Sequence, residues 1–312
     1  MKSPLPPSLT AFRKPGRVTR DGFTVLELLV SMAVLTLLLL LVMQLINSTS
    51  ILTGNSNKRM AADSQARLLL DRMAQDFGKI VKRADVDYFF QTNADNDQMA
   101  FYSETTGYYP SGVTGNTPKS GVSLVGYRVN SNFQLERLSK SLVWNGVTSS
   151  TIGAGGLTTS DIAMVFLPKT LTASWPKIAD GSDDNYQVIA DQVFRLEFQF
   201  LLKSYTDSTG GTQPATLSLV PWDIRRSHTA PNGLGDVSAI VVTLALLDTT
   251  SRKIVQESQY QGMISALPDA GGTTSALQAW TDSGYLTASN IPPQAAAQIR
   301  LYQRYFYLSP SS

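Results

Sequence analysis

The stretch from Arg20 to Ile46 constrains this chain more than any other. Arg20-Asp21-Gly22-Phe23-Thr24-Val25-Leu26-Glu27 stands directly before an almost unbroken apolar run, Leu28 to Met43. Phe23 to Ile46 makes a 24-residue stretch interrupted only by Thr24, Glu27, Ser31, Thr36 and Gln44. About 20 such residues span a bilayer as a helix. Arg13, Lys14, Arg17 and Arg20 precede the run closely, whereas Lys58 and Arg59 are the next cations after it. The positive-inside bias therefore puts the N-terminus in the cytoplasm and everything after residue 46 across the membrane.

A secretory signal would be cut after such a run, at a small-residue site. Ser48-Thr49-Ser50 is a weak match for one, and a plain uncleaved anchor is the simplest alternative. Neither accounts for Glu27. A carboxylate in hydrocarbon costs a few kcal/mol, so intramembrane acids usually have a job. A cut between Gly22 and Phe23 would give Phe23 a new α-amine, mostly protonated at pH 7. Glu27 lies one helical turn, roughly 6 Å, from that amine, and its charge suits a helix N-terminus. In a bundle of such helices it could pair with a neighbour's amine instead. That would reward one axial stagger, because an unpaired buried charge is strongly penalised.

Composition narrows the function classes. Five of the 26 cations and one of the 24 anions lie in residues 1–22, leaving 21 basic and 23 acidic residues beyond. That remainder gives no electrostatic reason to expect nucleic acid. Cysteine is absent and His228 is the one histidine, which excludes disulfides, thiol nucleophiles and Cys/His zinc sites.

Residues 47–57 are polar and poor in helix formers, and Gly54-Asn55 predicts a kink or break. Helical patterning then returns. Met60, Ala66, Leu69, Leu70, Met73, Phe77 and Ile80 recur at three- and four-residue steps. Lys58, Asp63, Arg67, Asp71, Arg72, Asp76 and Lys79 fill the other faces, with Arg67–Asp71 and Arg72–Asp76 as i,i+4 pairs. From residue 85 the character changes. Strands are predicted at Tyr88–Gln91, Met99–Ser103, Val122–Asn130, Phe133–Leu138, Ile162–Leu167, Gln187–Ala190, Val193–Leu202 and Val237–Leu247. Polar and Gly-rich connections occupy 105–121, 145–160, 203–216, 229–236 and 268–284, and Asn130-Ser131-Asn132 reads as a hairpin turn. Asn290-Ile-Pro-Pro could open a helix, while Ile299 to Leu308 could equally be an edge strand. The organisation is a leader, 1–22; an apolar helix, 23–46; an amphipathic stalk helix, 47–84; and a head, 85–312. Helix first and strands after indicate an α+β head packed on its stalk.

Gly22-Phe23-Thr24-x-x-Glu27 resembles the cleavage and methylation motif of type IV prepilins and type II secretion pseudopilins at every specified position. Further along, the chain resembles the J-type minor pseudopilins. Arg67-Leu-Leu-Leu-Asp-Arg-Met-Ala-Gln-Asp76-Phe is like their stalk segment, which ends in Asp and an apolar residue. Val125-Gly-Tyr127-Arg128-Val129 followed by Leu135-Glu-Arg137 is like their Y-x-[VL]…L-x-R hairpin. Asp191 to Phe198 and the stretch from Leu234 resemble two later strands, and residues 260–312 match nothing in that pattern. A divergent prepilin-like cassette of the kind known from verrucomicrobial genomes is the other relative it resembles. The resemblance implies a prepilin peptidase that cuts after Gly22 and methylates Phe23, and Glu27 as the assembly salt-bridge residue. It also implies a single pass in the bacterial inner membrane, a periplasmic head, and filament partners met through the N-terminal helix. A non-catalytic minor pseudopilin is the function implied. The alternative is a minor type IV pilin whose head binds DNA or a surface.

Little in the head points to catalysis or cofactors. Ser174-Trp-Pro-Lys177 has S-x-x-K spacing, which needs Ser and Lys one helical turn apart, and Pro176 opposes a helix there. His228 reads as a solvated loop residue beside Arg225 and Arg226. Asp95 and Asp97 form one short acidic loop, and Asp180, Asp183 and Asp184 another. Calcium needs six to eight oxygens, and some relatives of the resembled family bind calcium in their heads. Neither loop has EF-hand spacing, and the ordinary reading is solvated turns. No cofactor is expected beyond this calcium option.

Overall fold

The computed structural model describes residues 22, 24–82, 86, 88–109, 119–143, 178, 181–226, 234–285 and 292–309. The strand expected at 162–167 lies outside them. The chain divides into two compact units, Met1–Ser56 and Asn57–Ser312. Helix α1 (Val25–Gly78) runs through the first and opens the second.

In the first unit α1 is Leu-rich, and every residue from 24 to 54 is exposed. Three of its hydroxyls donate back to the helix's own carbonyls. Ser31 Oγ donates to Glu27 O (2.7 Å), Thr36 Oγ1 to Ala33 O (2.9 Å) and Thr49 Oγ1 to Leu45 O (2.8 Å). Such back-bonding satisfies these three hydroxyl donors without water. Among the described residues, α1 is the one helix long and apolar enough to cross a membrane. The break expected at Gly54-Asn55 is absent, because α1 continues through both residues. A single helical Gly costs only about 1 kcal/mol, less than abandoning the hydrogen bonds of a turn.

In the second unit the buried stripe of α1 is Ala62, Ala66, Leu69, Leu70, Met73 and Phe77. Met60, expected on this stripe, is exposed. It stands two positions before Ala62, about 200° round the helix. The stripe packs against two antiparallel sheets. The first is a five-stranded meander: β1 (Phe89–Gln91), β2 (Gln98–Ser103), β3 (Lys119–Val129), β4 (Leu135–Val143) and β5 (Gln187–Ala190). The second holds β6 (Val193–Leu202), β9 (Thr216–Ser218), β10 (Val237–Leu246) and β11 (Arg300–Tyr307), in the order β11-β10-β6-β9. A small ribbon, β7 (Tyr205–Thr206) with β8 (Thr212–Gln213), falls within the expected 203–216 connection.

Period-two alternation assigns each strand face. On β6, Leu196, Phe198 and Phe200 join the core with α1, while Arg195, Glu197 and Gln199 point the other way and are also buried. What covers them is the C-terminal layer: α2 (Thr249–Arg252), α3 (Glu257–Ser265), α4 (Ala276–Asp282) and α5 (Pro293–Ala296). Phe194, Leu247, Tyr260, Met263 and Trp280 form a second core there. The polar trio of β6 holds the segment before α4. Arg195 donates to Asp269 (2.5 Å), Glu197 accepts from Ala270 N (2.5 Å), and Gln199 accepts from Ala276 N (2.8 Å). The connection expected at 268–284 therefore contains α4. Ser275 Oγ caps it by accepting from Gln278 N, and Trp280 buries its inner side. Both C-terminal alternatives occur in succession, a short α5 and then β11 as an edge strand.

The hairpin turn falls where expected. Asn130 Oδ1 accepts from Asn132 N and Gln134 N, both at 3.0 Å. Phe133 sits in the left-handed region (φ 55°), unusual for a bulky residue. Its ring stacks on Tyr260 with centroids 4.7 Å apart, and Arg252 donates to its carbonyl (2.9 Å).

Candidate functional site

The helix start carries the first candidate. Phe23 lies outside the described residues, and Gly22 is exposed. Thr24 N and Thr24 Oγ1 both donate to Glu27 Oε2, each at 3.0 Å, and Glu27 N donates back to Thr24 Oγ1 (3.3 Å). This is a reciprocal capping box that satisfies two N-terminal donors of α1. The T-x-x-E spacing spells it in the sequence, and it gives a geometric form to the expectation that the charge of Glu27 suits a helix N-terminus. Among the described residues no donor meets Glu27 Oε1, so the carboxylate keeps an acceptor for a further cation.

Along the helix beyond this acid the exposed surface is largely apolar. Val25, Leu26, Leu29, Leu40 and Leu45 are all more than 60% exposed. Monomeric soluble proteins rarely leave a patch of this extent uncovered. Hydrocarbon or other apolar helices can cover it.

A second arrangement lies where α1 meets the first sheet. Asp76, in the last turn of α1, is fully buried. Its carboxylate accepts from Arg137 Nε (2.7 Å) and Arg137 Nη2 (2.8 Å), and from Tyr127 OH through a short hydrogen bond. Ser103 Oγ donates to the Asp76 carbonyl (2.9 Å). Burial and the neighbouring carboxylate push the Tyr127 phenol well above its usual range, so it stays a donor. The sequence pattern puts Asp76 off the apolar stripe, in an i,i+4 pair with Arg72. That pair stands at 4.0 Å, while the guanidinium of Arg137 takes the carboxylate in a fork. Asp71 is likewise engaged by Arg304 of β11 (2.5 Å). Three motif residues separated by 51 and 61 positions thus meet in one buried cluster.

The acidic loops have protein partners. Asn96 Oδ1 accepts from Leu196 N (2.7 Å) and Asp97 Oδ2 from Phe198 N (2.8 Å), so this loop closes part of the β6 edge. Burial raises the Asp97 carboxyl to about 7, against the lowering effect of the Phe198 and Asn93 amides. Asp183 is buried against Lys140 (2.5 Å). Asp95 and Asp184 are exposed, and Asp180 lies outside the described residues. Among the described residues no three His, Cys, Asp or Glu side chains stand together as a metal-holding group. Ser174, Lys177 and His228 also lie outside the described residues.

No protein-family model and no curated protein matches this chain. Among solved structures, a type IV-like pilin from Thermus thermophilus is similar to it, with 12% sequence identity and a TM-score of 0.33, over 79% of this chain and 95% of that one.

Proposed function

We propose that the chain is a non-catalytic, pilin-like subunit that enters a filament through its N-terminal helix, as a minor pseudopilin of a type II secretion system. Prepilin peptidase cuts between Gly22 and Phe23 and methylates the new amine. The processed protein waits in the inner membrane with its head in the periplasm. The observation that carries this reading is an apolar helix exposed all round, opening on an acid with a spare oxygen. A bare anchor needs no acid there, and a capping box alone leaves Oε1 idle. In the filament, Phe23 amines of this or a neighbouring subunit neutralise Glu27, and sibling helices replace lipid around Val25 to Ile51. Such pairing favours one stagger, since any other leaves a charge buried alone.

The experiment is expression alongside prepilin peptidase and sibling subunits, followed by shearing and recovery of filaments. Wild-type protein is expected in the filament fraction. Glu27→Leu is expected to be cut normally yet to stay in the membrane. Equal recovery of the two would sink the reading. A DNA-binding or surface-binding minor pilin shares this N-terminus, and the slightly acidic remainder of the chain opposes DNA. A salt-sensitive DNA gel shift by the full chain in detergent would favour that alternative.

A further inference from the structure

The outer face of the first sheet holds a buried lysine, a buried aspartate and a buried asparagine. Lys140 lies on β4 between Leu138 and Leu142, with Leu124 of β3 directly across. Lys140 and Leu124 have no exposed surface, and Leu138, Leu142, Ile178 and Tyr186 belong to the same apolar cluster. Its Nζ donates to Asp183 Oδ2 at 2.5 Å. The other carboxylate oxygen, Asp183 Oδ1, accepts from the side-chain amide of Asn185 (2.7 Å) and from its main-chain N–H (2.8 Å). Tyr108 OH donates to the Asn185 carbonyl and accepts from Ser139 N (3.1 Å), which fixes the asparagine against the strand that carries the lysine.

A buried ion pair of this kind is weak evidence for stability, since an apolar replacement of similar volume often does as well. The same setting suits chemistry. An amine desolvated in an apolar pocket is an activated nucleophile. A carboxylate touching both reacting groups can move protons between them. Fixed neighbours convert a sluggish bimolecular reaction into a fast intramolecular one.

We propose that Lys140 and Asn185 become joined by an amide bond between Lys140 Nζ and Asn185 Cγ, promoted by Asp183. Lys140 gives a proton to Asp183 Oδ2, and the neutral amine adds to Asn185 Cγ. Asp183 relays that proton to Asn185 Nδ2, the Cγ–Nδ2 bond breaks and ammonia leaves. The attacking nitrogen, as it becomes the amide, gives its second proton to Asp183, which passes it to the departing ammonia as ammonium. One amide forms and one is lost, with no change of oxidation state. Burial raises the Asp183 carboxyl, but hydrogen bonds from Lys140 and Asn185 outweigh it and hold the group below its usual range. The carboxylate therefore rests ionised beside the Lys140 ammonium, and the proton transfer from Nζ to Oδ2 is the uphill first step. The link would tie the segment before β5 to β4. Beyond that segment, β5 pairs with β4 only at Leu135–Arg137.

The test is tryptic peptide mapping of the full chain, purified folded and then denatured. The wild-type protein is expected to resist cleavage after Lys140. It should yield a branched peptide joining the Lys140 and Asn185 segments, lighter than their sum by one ammonia, about 17 Da. Lys140→Arg and Asp183→Ala should yield separate, unshifted peptides. Cleavage after Lys140 in the wild type with both peptides at full mass overturns the proposal. So does an ammonia loss confined to an unbranched Asn185 peptide, which is a succinimide. The wild-type map decides the matter even if a variant fails to fold, and it does not depend on processing at Gly22.

Discussion

Replacing Arg137 by Met removes both guanidinium hydrogen bonds from a carboxylate that has no exposed surface. Among the described residues Tyr127 OH remains its one close side-chain donor, with Arg72 at 4.0 Å. Breaking one side of a buried pair costs about 3–5 kcal/mol. Domain stabilities are about 5–15 kcal/mol, so the variant should lose between about a fifth and the whole of its margin. Tyr127→Phe removes one hydrogen bond to a charged group and should cost about 1.5–3 kcal/mol. Asp76→Leu with Arg137→Met removes both charges and should cost less than Arg137→Met alone, because no unpaired ion is left behind. Urea unfolding of the full chain in detergent, followed by tryptophan fluorescence, measures all three. The slope with urea should stay constant while the midpoint moves. A loss under about 1 kcal/mol for Arg137→Met, or a double variant that costs as much as Arg137→Met or more, would refute the clamp.

Other outcomes follow from neighbouring sites. The Asp97 carboxyl lies near 7 in the folded state and near 3.9 unfolded, so its folded form binds the extra proton between those values. Its contribution is present below about pH 4 and is lost as pH rises toward about 7, at up to about 1.4 kcal/mol per unit; Asp97→Asn should flatten the pH–stability curve there. Arg195→Met leaves Glu197, 3% exposed, without its cation, and limited proteolysis should then cut faster between residues 267 and 276. Gly22→Val should leave the chain 22 residues longer in the membrane fraction, read by intact mass.

Strand positions were legible because alternation and β-branched or aromatic residues mark half-buried pleats. Val193–Leu202 falls where its pattern put it. The sheet order was not legible, since β6 pairs with β10 across a long separation that no local signal encodes. Asp76 was misplaced because a charged residue on an amphipathic helix ordinarily faces water. Its partner Arg137 is 61 residues away, and only the fold brings them together. Gly54-Asn55 carries a local breaking tendency that the continuous helix overrides. The capping role of Glu27 was readable from T-x-x-E and was overlooked in favour of its burial in an apolar run. The α3 to α5 layer was hard to read because its helices are short and the segment between α3 and α4 is held by a polar ladder, Arg195, Glu197 and Gln199.

The most direct measurement is the N-terminal mass of the protein recovered from a membrane fraction containing prepilin peptidase. A chain that begins at N-methylated Phe23, with Glu27 one turn behind it, is the predicted species. A chain that still begins at Met1, or one cut beyond Ile46, would contradict the account at its root.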